Sequence, residues 1–185
     1  MLLFPDSSFF ICFLDDLNDF LSEEERYQYL FFTASSFEMV VGSAVRSEVG
    51  WNRVPKYVTD ECLMGDDMFD NTRVDPIIEQ LRMLLGRGEV EVIHLAKECY
   101  AKGERDFKFI LDDGTARSLT SKHVPEIAEN MIGTIGLLRN CALNKLYDGE
   151  KTISILTCII PSNFRINKTL VESLITEIQE SAIYE

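Results

Sequence analysis

Basic residues are scarce in this chain. It carries 18 Lys and Arg against 31 Asp and Glu in 185 residues, a formal net charge of −13. That balance opposes a passive, charge-driven nucleic-acid binder, because phosphate contacts draw on Lys and Arg. It leaves open an enzyme that holds cations among carboxylates, or a chain with a basic partner. Long apolar runs are missing too: no stretch of about 18 uncharged apolar residues occurs, so no transmembrane helix is expected. The opening MLLFPDSSFFICFLDDL has no basic leader, and Asp6, Asp15 and Asp16 interrupt its apolar run, which argues against a secretory signal. No CxxC pair joins the scattered cysteines Cys12, Cys62, Cys99, Cys141 and Cys158. A disulfide framework or structural zinc site is therefore not expected, and a reducing cytoplasm is. Each thiol reads as a small buried hydrophobe. His94 and His123 lack the partner spacing of a zinc site or a catalytic triad. Gly86-Arg87-Gly88 lacks the pattern of a phosphate-binding loop. There is no repeat, low-complexity stretch or linker, so one domain over residues 1–185 is expected.

What is present is ordinary globular composition, 46% apolar and 26% charged. A short apolar run, residues 1–5, ends in Asp6. Residues 9–20 read as helical. Ser22 with Glu25 forms a capping-box pattern that opens a helix through Tyr27, Leu30 and Phe31. FEMVVGSAV (37–45) reads as a buried strand. Residues 50–73 read as mostly loop, with one short strand near Cys62. Asp75-Pro76 pairs a capping side chain with proline at the first helical position. The stripe Ile77, Ile78, Leu81, Leu84 and Leu85 predicts a helix over 76–85. A second helix is predicted over 89–101, stopped by Gly103. FKFIL (107–111) reads as a strand running into Asp112-Asp113-Gly114. A helix follows before Pro125, then a short strand and another helix over 131–146. Residues 151–160 are β-branched, which favours strand by propensity alone. The stripe Leu170, Val171, Leu174, Ile175 and Ile178 predicts a last helix over 167–182. Alternating strands and helices describe an α/β domain with a mostly parallel sheet.

In such sheets, sites lie beyond the carboxyl ends of the strands. Asp6, Asp112 and Asp113 directly follow two of them, Glu48 lies just beyond a third, and Glu91 is placed in the first turn of a helix. Clustered carboxylates raise one another's pKa unless a cation neutralises them. Hard oxygen ligands suit Mg²⁺ or Mn²⁺. A chain with so many acids also places some near strand ends by chance, so spacing alone leaves both readings open. Asp15, Asp16, Glu23, Glu24, Glu25, Asp66, Asp67 and Asp70 read as solvated surface.

Several segments, in order, resemble the PIN-domain family. LLFPDSS matches its opening acid with Ser8 two residues on. VVGSAVRSEV places Glu48 on its second acid. LGRGEVEVIHLA resembles a subgroup signature, with Glu91 on the acid. FILDDGTARSL resembles that subgroup's DDxxAR, MIGTIGLL its GTxG turn, and SNFRINKTLVESLITEI its ending. Pro5, Val92, His94 and Asn163 depart from the pattern, and none is a proposed ligand.

The resemblance implies a three-layer α/β/α sandwich around a five-stranded, mostly parallel sheet. It also makes 151–160 helical against its propensity. It implies a metal-dependent endoribonuclease, with the toxin of a VapBC-type toxin–antitoxin pair as one role. Asp6, Glu48, Glu91 and Asp113 would hold Mg²⁺ or Mn²⁺, with Asp112 a further candidate. Ser8 would orient Asp6 or a water on the metal. Arg117 would pair with a site acid. The resemblance implies RNA and an antitoxin as partners, while the apolar Phe9, Phe10, Phe13, Phe31 and Phe32 motivate self-association or a basic protein partner. A catalytically silent PIN-like interaction module is the alternative.

Overall fold

The computed structural model describes residues 1–65 and 75–183. The expectations for Asp66, Asp67 and Asp70 lie outside the described residues. The described residues hold five strands: β1 (Leu2–Phe4), β2 (Glu38–Val41), β3 (Leu63–Met64), β4 (Phe107–Ile110) and β5 (Met131–Ile132). They form one sheet in the order β3-β2-β1-β4-β5, and every pairing is parallel. Successive side chains of a strand point to opposite faces. Met39, Val40 and Val41 are nevertheless all buried, as are Leu3 and Phe4. Both faces of the sheet are therefore covered, as a parallel sheet requires. Helix α2 (Glu23–Ser36) packs on β2, and α6 (Arg87–Ala101) packs on β1 and β4. The expected α/β/α sandwich is thus formed.

Local chemistry sets the helix starts. The capping box is complete: Glu25 N–H donates to Ser22 Oγ (3.3 Å), and Ser22 N–H to the Glu25 carboxylate (2.9 Å). Asp75 accepts from the N–H groups of Ile77 and Ile78 and opens α5 (Pro76–Arg82). This helix stops three residues before the predicted end. The chain there tightens, with Met83 and Leu84 N–H bonding three residues back, and Leu84 is exposed rather than part of the apolar stripe. Asp148 caps α9 (Gly149–Ile159), whose Thr152, Ile155, Leu156 and Ile159 form a buried face. Packing of that face overrides the β-branched propensity of the segment. The last helix, α10 (Lys168–Ile183), is held by buried Val171 and Ile178 and by an ion pair between Arg139 and Glu177.

Three local readings change. The strand in 37–45 ends at Val41, because Gly42 becomes the N-cap of α3 (Ser43–Val49). Glu48 is therefore helical. The 9–20 segment is α1 (Ser7–Ile11) followed by one π-helical turn (Cys12–Asp16). The region read as loop holds a 3-10 turn (Trp51–Arg53) and a short helix, α4 (Lys56–Thr59), besides β3. Phe9, Phe10 and Phe13 are fully buried, so these rings serve the core. Among the described residues no helix is long and apolar enough to cross a membrane. All five thiols are free, four of them buried.

Candidate functional site

The sheet register collects the acids. β1 pairs with β4 through Leu2–Phe107 and Phe4–Phe109, and β4 pairs with β5 through Ile110–Ile132. Continuing two residues past each strand brings Asp6 beside Leu111 and Asp112, and Asp112 beside Thr134. Hydrogen bonds confirm that edge. Ser8 Oγ lies 2.6 Å from Asp6 Oδ1 and 2.8 Å from Asp112 Oδ2. Thr134 donates to Asp112 through both its N–H (2.8 Å) and its hydroxyl (2.6 Å). Asp6 also accepts the Phe9 N–H at 3.2 Å and so caps α1. Gly133 matters here: a Cβ on it would lie 3.0 Å from Asp112 Oδ1.

Asp6 is only 2% exposed. Burial, with the charge of Asp112 adding to it and that of Glu89 further away, pushes its carboxyl up to about 7, against the Ser8 and Phe9 hydrogen bonds. A hydroxyl has one hydrogen, so Ser8 donates to one carboxylate at a time. The second short contact is satisfied when that carboxyl itself carries a proton.

The other acids sit around this pair. Asp113 is exposed and caps α7 (Gly114–His123), accepting the Ala116 N–H at 2.9 Å. Glu48 is exposed and fixed at both oxygens, by Ser7 Oγ (2.7 Å) and by the Gly88 N–H (2.9 Å). Glu89 is the residue the sequence reading passed over. Burial holds its carboxyl above the usual range, and the charges of Asp113 and Glu48 push the same way against the Gly86 N–H. It shares the field of Asp6, Asp113 and Glu48. In the chain, Glu89 stands three residues after Gly86, the N-cap of α6, at the position from which its carboxylate accepts the Gly86 N–H.

Glu91 is placed differently from expectation. It lies in the second turn of α6, not the first. Its carboxylate accepts the N–H groups of Ala44 and Val45, both at 3.0 Å, and the Ser43 hydroxyl at 3.2 Å. It thus closes the N-terminus of α3. Residues two apart on a helix do not share a face, so α6 presents Glu89 and Glu91 differently. Arg117 also departs from expectation. Its guanidinium donates to the Leu111 carbonyl at 3.0 Å, and among the described residues it pairs with no site acid.

No lysine or arginine among the described residues neutralises Asp6, Asp112, Asp113, Glu48 or Glu89 by an ion pair. The donor set is all hard oxygen, which fits Mg²⁺ or Mn²⁺ in chemistry. As the side chains stand, no three His, Cys, Asp or Glu among the described residues close around an ion. Their oxygens are occupied by the serine, threonine and amide donors named above.

A family model described as a PIN domain matches residues 27–180. The chain belongs to the PIN-domain family. That family generally includes nucleases and generally uses divalent metals. The match includes Glu48, Glu89, Glu91, Asp112, Asp113 and Arg117. It begins after Asp6 and Ser8, which this PIN domain brings to the site through β1 at the centre of the sheet. No curated protein and no solved structure matches the chain.

Proposed function

We propose that this PIN-domain protein is an Mg²⁺- or Mn²⁺-dependent endoribonuclease that hydrolyses RNA phosphodiester bonds. The observation that carries the reading is the buried Asp6 carboxyl, set against Asp112 through one shared serine hydroxyl, with no cationic side chain among the described residues paired to either. Such a group is held in place by the fold yet is unfavourable there without a cation.

In this reading Asp6, Asp112, Asp113 and Glu89 hold the metal, Glu89 taking the part expected of Glu91. Bound there, the cation supplies Lewis acidity toward the phosphodiester and its attacking water. Ser8 orients the two aspartates, donating its hydroxyl hydrogen to one of them at a time. Thr134 fixes Asp112. Glu48, immobilised by Ser7 and Gly88 at the open side, keeps its carboxylate toward the substrate. Glu91 is a positioning residue that ties α3, the helix carrying Glu48, to α6. Arg117 holds the Leu111 carbonyl and so the turn into the aspartate pair.

The five free thiols suit a cytoplasmic protein. The net charge of −13 favours a basic protein partner, which in a toxin–antitoxin pair is the antitoxin. The same charge, with no three carboxylates closed around an ion, favours the rival reading of a silent PIN-like interaction module.

Titration with Mn²⁺ separates the two. The nuclease binds the ion, melts at a higher temperature as occupancy rises, and cuts RNA only with metal. Asp6→Asn and Asp113→Asn remain folded and lose cleavage. A protein whose melting ignores Mn²⁺, or whose two variants cut as the parent does, is not this nuclease.

A further inference from the structure

The chain has a single tryptophan, and it stands beside the proposed site. Helices α1 and α3 meet along a seam. At its site end Ser7 bonds Glu48 at 2.7 Å. One helical turn along, about 5 Å by helix rise, Phe10 meets Trp51 edge-to-face with ring centroids 5.4 Å apart. Further on, Asp15 pairs with Arg53. Phe10 is fully buried, whereas Trp51 is partly buried, packing against the core with some of its surface exposed. The indole therefore lies about one helical turn along the seam from the Ser7–Glu48 contact.

The opposite side of Glu48 is the start of α6, where the Gly88 N–H holds it. Arg87 is the preceding residue. It is exposed and forms no ion pair among the described residues. The neighbouring arginines are spent: Arg53 on Asp15, and Arg117 on the Leu111 carbonyl. Among the described residues, exposed Arg87 and partly exposed Trp51 thus flank a fixed carboxylate.

We propose that Trp51 and Arg87 form the RNA-binding rim of this site, with a base of a single-stranded segment stacked on the Trp51 indole and an adjacent phosphate held by Arg87. The inference rests on the ribonuclease reading and adds how substrate is held. Stacking needs a splayed, unpaired base, because bases in a duplex are stacked on one another. It is tolerant of sequence, since every base has a π-face. A rim with one cation supplies little general attraction, so the aromatic surface carries the larger share of affinity.

The lone tryptophan reports on its own surface. Asp6→Asn protein is titrated in Mg²⁺ with a fluorescently labelled single-stranded oligoribonucleotide. Label anisotropy gives occupancy and indole emission gives contact. Emission is expected to fall with occupancy, and a blunt duplex of the same sequence is expected to leave it unmoved. In the otherwise unchanged enzyme, Trp51→Ala should raise KM about tenfold with kcat within about twofold, and Trp51→Phe should restore most of the loss. Arg87→Gln should flatten the plot of log Kd against log salt by about 0.7. Emission that does not move at saturating anisotropy overturns the rim. So does an unchanged KM in a folded Trp51→Ala, or equal quenching by the duplex. If Trp51→Ala does not fold, the fluorescence titration decides alone. If the parent protein cuts no RNA with Mg²⁺ or Mn²⁺, the ribonuclease reading itself has failed. Cleavage with an indifferent Trp51 sinks only the rim.

Discussion

The Ser8 hydroxyl lies 2.8 Å from a carboxylate oxygen of Asp112, 104 residues further along the chain. The same oxygen atom of Ser8 is 2.6 Å from Asp6. The two acids are electrostatically coupled through this short contact, and the charge of Asp112 adds to burial in raising the Asp6 carboxyl.

The first prediction follows from that coupling. Burial raises the Asp6 carboxyl from 3.8 to about 7 in the folded protein. The unfolded chain keeps the lower value, so the folded state binds the proton more tightly. The resulting stability is fully present below about pH 4 and is lost as pH rises through about 7. On this account the metal-free protein loses on the order of a few kcal/mol over that window, or on the order of 5 to 10 °C in melting temperature. Asp6→Asn keeps the acceptor for Phe9 N–H and should flatten the curve. Mn²⁺ should restore more stability to the parent at pH 8 than at pH 5. A pH-independent difference between parent and variant would contradict the coupling.

Glu89 and Glu91 should behave in opposite ways. Glu89→Gln is expected to cut metal-dependent cleavage at least a hundredfold while the fold melts near the parent temperature. Glu91→Ala removes three donors' partner at the α3 N-terminus, and should cost about 1 to 3 kcal/mol in stability. Glu91→Gln keeps part of that bonding and should retain most activity. Parallel cleavage assays and thermal melts on the three variants test this. A hundredfold loss in Glu91→Gln with normal activity in Glu89→Gln would reverse the assignment.

Two glycines leave room for these carboxylates. A Cβ on Gly42 would overlap the Glu91 carboxyl group, and one on Gly88 would overlap a Glu48 oxygen. Gly42→Ala should therefore displace the α3 cap and cost about 2 kcal/mol or more. Gly88→Ala should push Glu48 aside and lower cleavage more than stability. Urea unfolding with an unchanged slope, alongside activity, distinguishes the two effects.

The partner expectation now rests on fewer residues. Phe9, Phe10 and Phe13 are in the core, while Phe31, partly buried, packs edge-to-face on exposed Tyr57 beside exposed Phe32. If a basic protein or a second copy uses that face, Phe32→Glu should abolish association seen by light scattering without lowering the melting temperature. Association that survives Phe32→Glu would place the contact elsewhere.

Most strand positions and the strand-end acids were legible because each depends on local pattern. Short apolar runs ending in Asp6 and Asp112 are parallel-strand signatures, and Asp75-Pro76 and Ser22 with Glu25 are caps in any context. The helix α9 was not legible from propensity, since its buried face of Thr152, Ile155, Leu156 and Ile159 is chosen by tertiary packing. Glu89 was missed for a related reason. Two acids two residues apart on a helix look equivalent in sequence, and only the position of α3 decides that Glu91 closes its N-terminus. Arg117 read as a counter-charge by type. Its position beneath the β4 end instead gives it the Leu111 carbonyl.

The sheet order β3-β2-β1-β4-β5 has a consequence for biosynthesis. Asp6, Glu48 and Glu89 are all translated before β4. Until β4 docks on the central strand, Asp112 cannot meet Ser8, and Thr134 follows later still. On the ribonuclease reading proposed above, the site is therefore completed late in translation, and chains truncated before β4 are inert.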